Sequence, residues 1–314
     1  MTAEAPLFPP ADHGDADPLP AWMGIDWRSR LHRVELPGAS VNYAEIGEGE
    51  PVLFVHGLGG CWRNWLENLP HFGERHRAIA LDLPGFGDSP MPEWEISMPA
   101  YGRMLQDFCD ALGIDRVAAL IGNSMGGFVA TEAVIERPER FERLGLVSAA
   151  GLSLAEAKGR HFRAVAQTIK AAAPFVADRE SLFKRPLGRR LLFGGVMREP
   201  EKLRPELLAE QLRPGLGSDG FVDSLASMVG YDTRERLTEI EIPTLIVWGL
   251  NDRIVPVEAA LGYHRLIPRS RLEIFERTGH VPQLERPARF NSLLDEFLDA
   301  EPAAIGDRDD ATVA

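Results

Sequence analysis

The sequence predicts an α/β protein: a mostly parallel sheet with helices on both faces, interrupted once by a purely helical insertion. Three observations carry this. Short apolar runs at 52–55, 78–81, 117–121 and 244–248 have the composition of strands buried on both sides of a parallel sheet. Helical patterns separate most of them, and strand–helix alternation implies right-handed crossovers that place helices on both faces. The alternation stops near Gly151 and resumes at Thr244. Between them, four helical stretches (about 154–173, 178–194, 199–212 and 219–230) show no strand pattern.

In chain order, residues 30–36 and 40–46 form an expected antiparallel pair joined at Pro37-Gly38, and the second alternates faces. Glu48-Gly49-Glu50-Pro51 turns the chain into the first core strand, which ends in His56-Gly57-Leu58-Gly59-Gly60. A helix carrying Trp62, Trp65 and Leu69 follows, then strand 78–81 running into Asp82-Leu83-Pro84-Gly85-Phe86-Gly87-Asp88-Ser89. A helix over about 99–112 leads to strand 117–121 and an amphipathic helix that Arg137-Pro138 ends. Strand 143–148 precedes the insertion. After strand 244–248 come a helix at 258–267, a strand at 271–275 and a closing helix at about 288–298.

Length and composition bound the rest. The expected organisation is one core built from 22–151 and 234–300, with 152–233 as a helical cap over the strand ends. The cap holds more Lys and Arg than Asp and Glu in a chain whose net charge is −13. Such an acidic chain has no basic face for phosphates, so a nucleic-acid partner is not expected. No apolar run reaches the eighteen or so residues of a membrane span, so stable membrane insertion is not expected either. Two cysteines, Cys61 and Cys109, do not make a disulfide framework and fit a reducing, cytoplasmic setting. Residues 1–21, rich in Pro and Asp, lack the pattern of a signal peptide and read as a flexible lead-in. Residues 301–314 hold few bulky apolar side chains and are expected to be disordered.

The stretch with chemistry is Gly122-Asn123-Ser124-Met125-Gly126-Gly127, between a buried strand and a helix. A strand that reverses into a helix so abruptly strains the residue at the corner and leaves room only for glycine two positions either side. Ser124 is then presented with its hydroxyl exposed, and the Met125 N–H at the helix N-terminus faces any oxyanion formed there. The loop 56–60 follows the first core strand, and its small residues let the Leu58 N–H approach as a second donor; a plain tight turn is the alternative. Asp252, after strand 244–248, reads either as an acid that orients a histidine or as a loop acid capping nearby amides. His280, after strand 271–275, sits at the same sheet edge and is a catalytic candidate or an incidental loop histidine. In an open α/β sheet, reactive groups gather outside the C-terminal ends of the strands, where all of these fall.

The segments HGLGG, DLPGFGDS, GNSMGG, GLNDRIVP and TGHVPQLERPARF stand in an order that resembles the capped α/β-hydrolases, over about 34–298. The resemblance implies an α/β-hydrolase fold and a triad of Ser124 (nucleophile), His280 (base) and Asp252 (orienting acid), with Leu58 and Met125 N–H groups as oxyanion donors. The expected reaction is hydrolysis of a small or medium carboxylic ester through an acyl-enzyme. A serine rather than aspartate at the corner disfavours dehalogenase and epoxide hydrolase chemistry.

GNSMGG also resembles the carbon–carbon bond hydrolases of ring-fission dienoates, which is the alternative reading. Those enzymes tend to carry Gly-Pro-Gly where this chain has Gly57-Leu58-Gly59, and Trp where it has Val281. They also hold the substrate carboxylate with a cap arginine; Arg185, Arg189 and Arg190 are present, though such a run reads first as a solvated basic face. A non-catalytic ligand receptor is a third reading, disfavoured by the complete triad. No metal-ligand spacing, phosphate loop or dinucleotide fingerprint is present, so no cofactor and no metal are expected. The expected partner is a small-molecule acyl substrate, and the sequence leaves homo-oligomerisation undetermined. Cys61 reads as a packed small residue, His56 as a structural hydrogen-bonding group, and Asp82 and Asp88 as turn formers. Trp62, Trp65, Trp248, Phe162, Phe175, Phe183 and Phe193 read mainly as packing residues.

Overall fold

The computed structural model describes residues 19–152, 184–212 and 218–301, with the backbone of Thr312–Val313. Its strands are β1 (Leu31–Leu36), β2 (Ala39–Ile46), β3 (Pro51–Val55), β4 (Arg77–Leu81), β5 (Ala119–Asn123), β6 (Leu144–Val147), β7 (Thr244–Gly249), β8 (Ser270–Phe275) and β9 (Thr312–Val313). They form one sheet in the order β1-β2-β4-β3-β5-β6-β7-β8-β9. The β1–β2 and β2–β4 pairings are antiparallel and the rest parallel. From β3 the chain steps outward to β4, then crosses back to β5 on the other side. That reversal opens a crevice between the C-terminal ends of β3 and β5, where α/β sheets place ligands.

Core strands β3 to β7 are almost wholly buried because helices cover both faces. One apolar cluster gathers Leu53, Val55, Tyr101, Phe108, Phe128 and Trp248 on one face. The other gathers Phe54, Trp62, Trp65, Phe72, Phe275 and Phe290. Helices α1 (Leu69–Phe72), α2 (Met98–Ala111) and α3 (Met125–Glu136) belong to the first half of the core. In the second half lie α7 (Glu258–Leu266), α8 (Pro282–Glu285) and α9 (Pro287–Asp299), while α4 (Pro186–Phe193), α5 (Pro205–Leu212) and α6 (Phe221–Met228) lie in the insertion.

Three local expectations change. The helix expected through Trp62, Trp65 and Leu69 is instead a 3-10 turn, Trp62–Trp65, and the four-residue α1. Its continuity breaks at Asn68, whose amide donates to Asn291 Oδ1 at 2.7 Å, and Pro70 offers no N–H to a helix arriving from upstream. Helix α3, expected to be amphipathic, is buried on every side from Met125 to Val134. Its one buried acid, Glu132, is paired with Arg236 at 2.8 Å. The tail expected to be disordered contributes Thr312–Val313, parallel to β8 opposite Glu273 and Ile274. An open sheet edge offers unpaired backbone groups to any extended segment, whatever its apolar content.

Within the insertion, α4 to α6 fall where helices are expected, and no strand occurs among its described residues. The stretch 154–173, the start of 178–194, and Phe162, Phe175 and Phe183 lie outside the described residues, as do residues 1–18. The insertion meets the C-terminal rim of the sheet. Gly220 donates its N–H to Gly85 O at 2.9 Å, Asn64 donates to Gln211 Oε1 at 2.6 Å, and Val196 O accepts the His280 N–H at 2.7 Å. Among the described residues no helix is long and apolar enough to cross a membrane.

Asn68 joins the first quarter of the chain to its last helix through a fully buried amide. Asn68→Ala leaves Asn291 short of a partner, and guanidinium denaturation is expected to show a loss of about 1–3 kcal/mol.

Candidate active site

The corner after β5 has the geometry its glycines suggest. Ser124 sits at φ 55° and ψ −117°, a backbone conformation a side-chain-bearing residue adopts only under strain. A Cβ on Gly122 would lie 2.2 Å from Gly126 O, and one on Gly126 would lie 2.3 Å from Val55 O and 2.5 Å from His56 O. Helix α3 therefore passes against the end of β3. The loop after β3 closes over the same point: a Cβ on Gly57 would lie 3.0 Å from Ser124 Cβ.

Two backbone donors flank this corner. The Leu58 and Met125 N–H groups make no hydrogen bond among the described residues, although Met125 is fully buried. Buried amides are nearly always paired, so the unpaired Met125 N–H, with that of the half-buried Leu58, makes a candidate oxyanion hole beside a strained serine. The Ser124 hydroxyl likewise has no hydrogen-bond partner among the described residues; catalytic hydrogen bonds commonly tighten only once substrate is bound.

Asp252 and His280, 28 residues apart, meet directly: His280 Nδ1 lies 2.8 Å from Asp252 Oδ2. The two sequence readings of Asp252 hold together, because Oδ1 accepts the N–H groups of Ile254 at 2.8 Å and Val255 at 2.9 Å while Oδ2 takes the imidazole. With the carboxylate so fixed, Nδ1 is the donor and Nε2 is left as the basic nitrogen. Backbone bonds zip the two loops together: Asn251 N–H donates to Thr278 O and Leu250 N–H to Phe275 O, each at 2.9 Å. Asn123 links this pair to the corner. Its amide donates to Val147 O at 3.0 Å and to His280 O at 3.2 Å, so the residue beside Ser124 holds the backbone of the histidine. The sequence places Asn123 beside the serine but contains no signal for that bond.

The neighbouring groups sort themselves by environment. His56 is fully buried, with Nε2 accepting the Leu83 N–H at 2.9 Å and Nδ1 donating to Gly57 O at 2.7 Å. Burial pushes its imidazole down to about 4, so it is a neutral strut under the loop, as the sequence suggests. Burial, with the nearby Asp82 carboxylate, pushes the Cys61 thiol up to about 12, which removes it as a nucleophile. Asp82 does more than form a turn. Its carboxylate accepts the N–H groups of Trp62 at 2.7 Å and Asp88 at 2.9 Å and the Asn42 amide at 2.8 Å, tying the segments after β3 and β4 to strand β2. Burial nonetheless holds its carboxyl up at about 6.

Of the insertion's arginines, Arg185 and Arg190 are exposed, and Arg190 faces Glu201 at 3.7 Å. Arg189 departs from the expected solvated face: it is buried and donates to Glu201 O at 2.6 Å.

This fold and this corner define a serine-centred α/β architecture, and comparison with known proteins agrees. A family model described as alpha/beta hydrolase fold matches residues 50–287, and the chain belongs to that family. The 2-hydroxy-6-oxo-6-phenylhexa-2,4-dienoate hydrolase of Comamonas testosteroni is 30% identical, over 86% of this chain and 95% of its own. The 2-hydroxy-6-oxo-2,4-heptadienoate hydrolase of Pseudomonas putida is 31% identical, over 84% and 94%. Among solved structures, a meta-cleavage product hydrolase from Pseudomonas fluorescens superimposes with a TM-score of 0.67 at 26% identity, over 85% of this chain and 97% of its own.

Two expectations follow from the geometry. Ser124→Gly relieves the positive φ whereas Ser124→Ala retains it, so thermal melts are expected to place the glycine variant above the alanine variant by about 1 kcal/mol. His56 binds a proton far more weakly folded than unfolded. Its contribution is therefore complete above its ordinary value of 6.5 and is lost as the pH falls toward about 4. Relative to His56→Asn, wild-type protein is expected to lose roughly 2 kcal/mol between pH 7 and pH 5 in denaturation curves.

Proposed function

We propose that the chain is a serine-dependent hydrolase in which Ser124 attacks a substrate carbonyl, His280 takes the serine proton and Asp252 holds the imidazole. The observation that carries this reading is the Nδ1–Oδ2 contact of 2.8 Å between His280 and Asp252, at the same rim as the strained Ser124. Leu58 and Met125 N–H groups receive the oxyanion, and α4 to α6 with the rest of 152–233 serve as the cap. The first step forms the Ser124 Oγ–carbon bond and moves the serine proton to His280 Nε2. As the tetrahedral intermediate collapses, the imidazolium returns that proton to the leaving group. Water then adds to the acyl-enzyme with the same proton transfers, releasing the acid and free Ser124.

The sequence points first to an ester bond, but the relatives favour the alternative, carbon–carbon cleavage of a 2-hydroxy-6-oxodienoate. In that reaction the dienol would first shift a proton from its 2-hydroxyl to C5, giving a 2,6-dioxo-3-enoate; serine addition at the C6 carbonyl would then break the C5–C6 bond, with the electron pair spread over a dienolate onto the 2-oxo group, and water would release the acyl-serine. Ester hydrolysis stands as the second reading, because Leu58 replaces the proline of the Gly-Pro-Gly loop and Val281 replaces the tryptophan. A thermophilic esterase from Thermogutta terrifontis, 25% identical with a TM-score of 0.69, is consistent with it.

Steady-state kinetics with a 2-hydroxy-6-oxodienoate and with p-nitrophenyl acyl esters separate the two. Carbon–carbon hydrolysis predicts kcat/KM at least about 10-fold higher for the dienoate; the reverse ranking assigns the ester. In both cases Ser124→Ala is expected to lower turnover by about 10³-fold or more with the melting temperature little changed. A protein that binds the dienoate yet turns over neither substrate and forms no adduct with a fluorophosphonate would be a receptor.

A further inference from the structure

His280 is held from four directions, and only one of them is Asp252. The others involve the backbone around it: Asn123 grips its carbonyl, Val196 O accepts its N–H, and the amide of the preceding Gly279 donates to a carboxylate that the proposed reaction does not use. That carboxylate is Glu285, 2% exposed at the end of α8. Its Oε1 accepts the Gly279 N–H at 2.9 Å, and its Oε2 accepts the Arg198 N–H at 2.7 Å. Arg198 lies in the inserted segment, two residues beyond the Val196 carbonyl that accepts the His280 N–H.

The approach leaves no slack. A Cβ on Gly279 would lie 2.5 Å from Val196 O, 2.9 Å from the Arg198 nitrogen and 3.0 Å from Glu285 Oε1. One carboxylate thus joins the residue before the histidine to a turn of the insertion. Capping α8 would use only local amides; these donors come from two separate segments. Among the described residues the carboxylate has no ion pair within 4 Å, so backbone amides, with the Arg286 charge at longer range, carry the compensation for burying it. Burial holds its carboxyl up at about 7, with these amides opposing the shift.

We propose that Glu285 is a positioning residue for His280 and at the same time the latch that docks the inserted segment, so that cap seating and imidazole placement are set by one carboxylate. This rests on His280 being the base of the proposed reaction. Glu285 touches no reacting atom; it acts through the backbone of 279–281. An amide in its place turns an NH₂ toward one of the two donors and releases either the histidine loop or the Val196–Arg198 turn.

The test uses the full chain and three readouts: kcat and KM for a p-nitrophenyl ester or the dienoate, the rate of fluorophosphonate labelling of Ser124, and the His280 Nδ1 proton resonance. Glu285→Gln is expected to lower kcat and the labelling rate by about 10- to 100-fold, and to shift or broaden the Nδ1 resonance. Glu285→Asp keeps the charge but withdraws it by one methylene, and is expected to lose less. A folded Glu285→Gln or Glu285→Asp protein with wild-type kcat and an unchanged resonance overturns the proposal. Wild-type protein decides the case if both variants fail to fold. The amides of Arg198 and Gly279 are then expected to exchange with solvent through one common opening, and rates differing more than 10-fold overturn the latch. Failure of the catalytic reading is distinct from this, because His280→Ala would then retain turnover.

Discussion

The rim is organised by a steric constraint: β5 turns into α3 with no room for a side chain at Gly122 or Gly126, because the helix starts against the carbonyls of Val55 and His56. Everything placed at the rim follows from that proximity. Ser124 is forced to a positive φ, which lifts its side chain clear of the sheet. Among the described residues the Met125 N–H, at the start of a helix, is left without a partner, and the loop after β3 has to pass close enough that Gly57 borders Ser124 Cβ. Helix α3 is buried on all sides because a helix launched from the centre of the sheet has strands below it and α2 beside it.

Around the corner, three buried acids do for the loops what the sheet ladder does for the strands. Asp82, Asp252 and Glu285 each gather backbone N–H groups from residues outside regular structure: Trp62 and Asp88, Ile254 and Val255, Gly279 and Arg198. Loops packed at a rim carry amides that neither strand nor water satisfies, and a carboxylate with its several acceptor sites collects them at fixed angles. Asp82 ties the oxyanion-side loops to β2, Asp252 ties its own loop to the imidazole, and Glu285 ties the imidazole's loop to the insertion. The geometry of the rim is therefore held by acid–amide bonds, and little of it depends on surface ion pairs, which are weak when solvated.

The bond class is decided elsewhere. In the proposed reaction a nucleophile, a base and oxyanion donors would serve any carbonyl, so ester and carbon–carbon hydrolysis would differ in what holds the remainder of the substrate. Relatives at 30 and 31% identity over most of both chains are themselves dienoate hydrolases by name. The local departures at Leu58 and Val281, and a buried Arg189 already bonded to Glu201 O, weigh toward a different pocket.

How much was legible in the residues follows from how local each signal is. The core strands, the corner at Ser124, the loop at Leu58 and the strand-end positions of Asp252 and His280 could be read from the sequence, because apolar runs and glycines at a sharp turn report their own backbone. The break at Asn68, the extra strand Thr312–Val313, the burial of Arg189 and the gathering roles of Asn123, Asp82 and Glu285 could not. Each depends on a partner far along the chain, Asn291 for Asn68 and Arg198 for Glu285 among them, and sequence spacing is silent on which distant groups a fold brings within hydrogen-bond reach. The sequence by itself determined the order of strands and the chemistry offered at their ends. Only the tertiary structure decided which amide, carbonyl and carboxylate would hold that chemistry in place, because that choice is made by packing across the sheet.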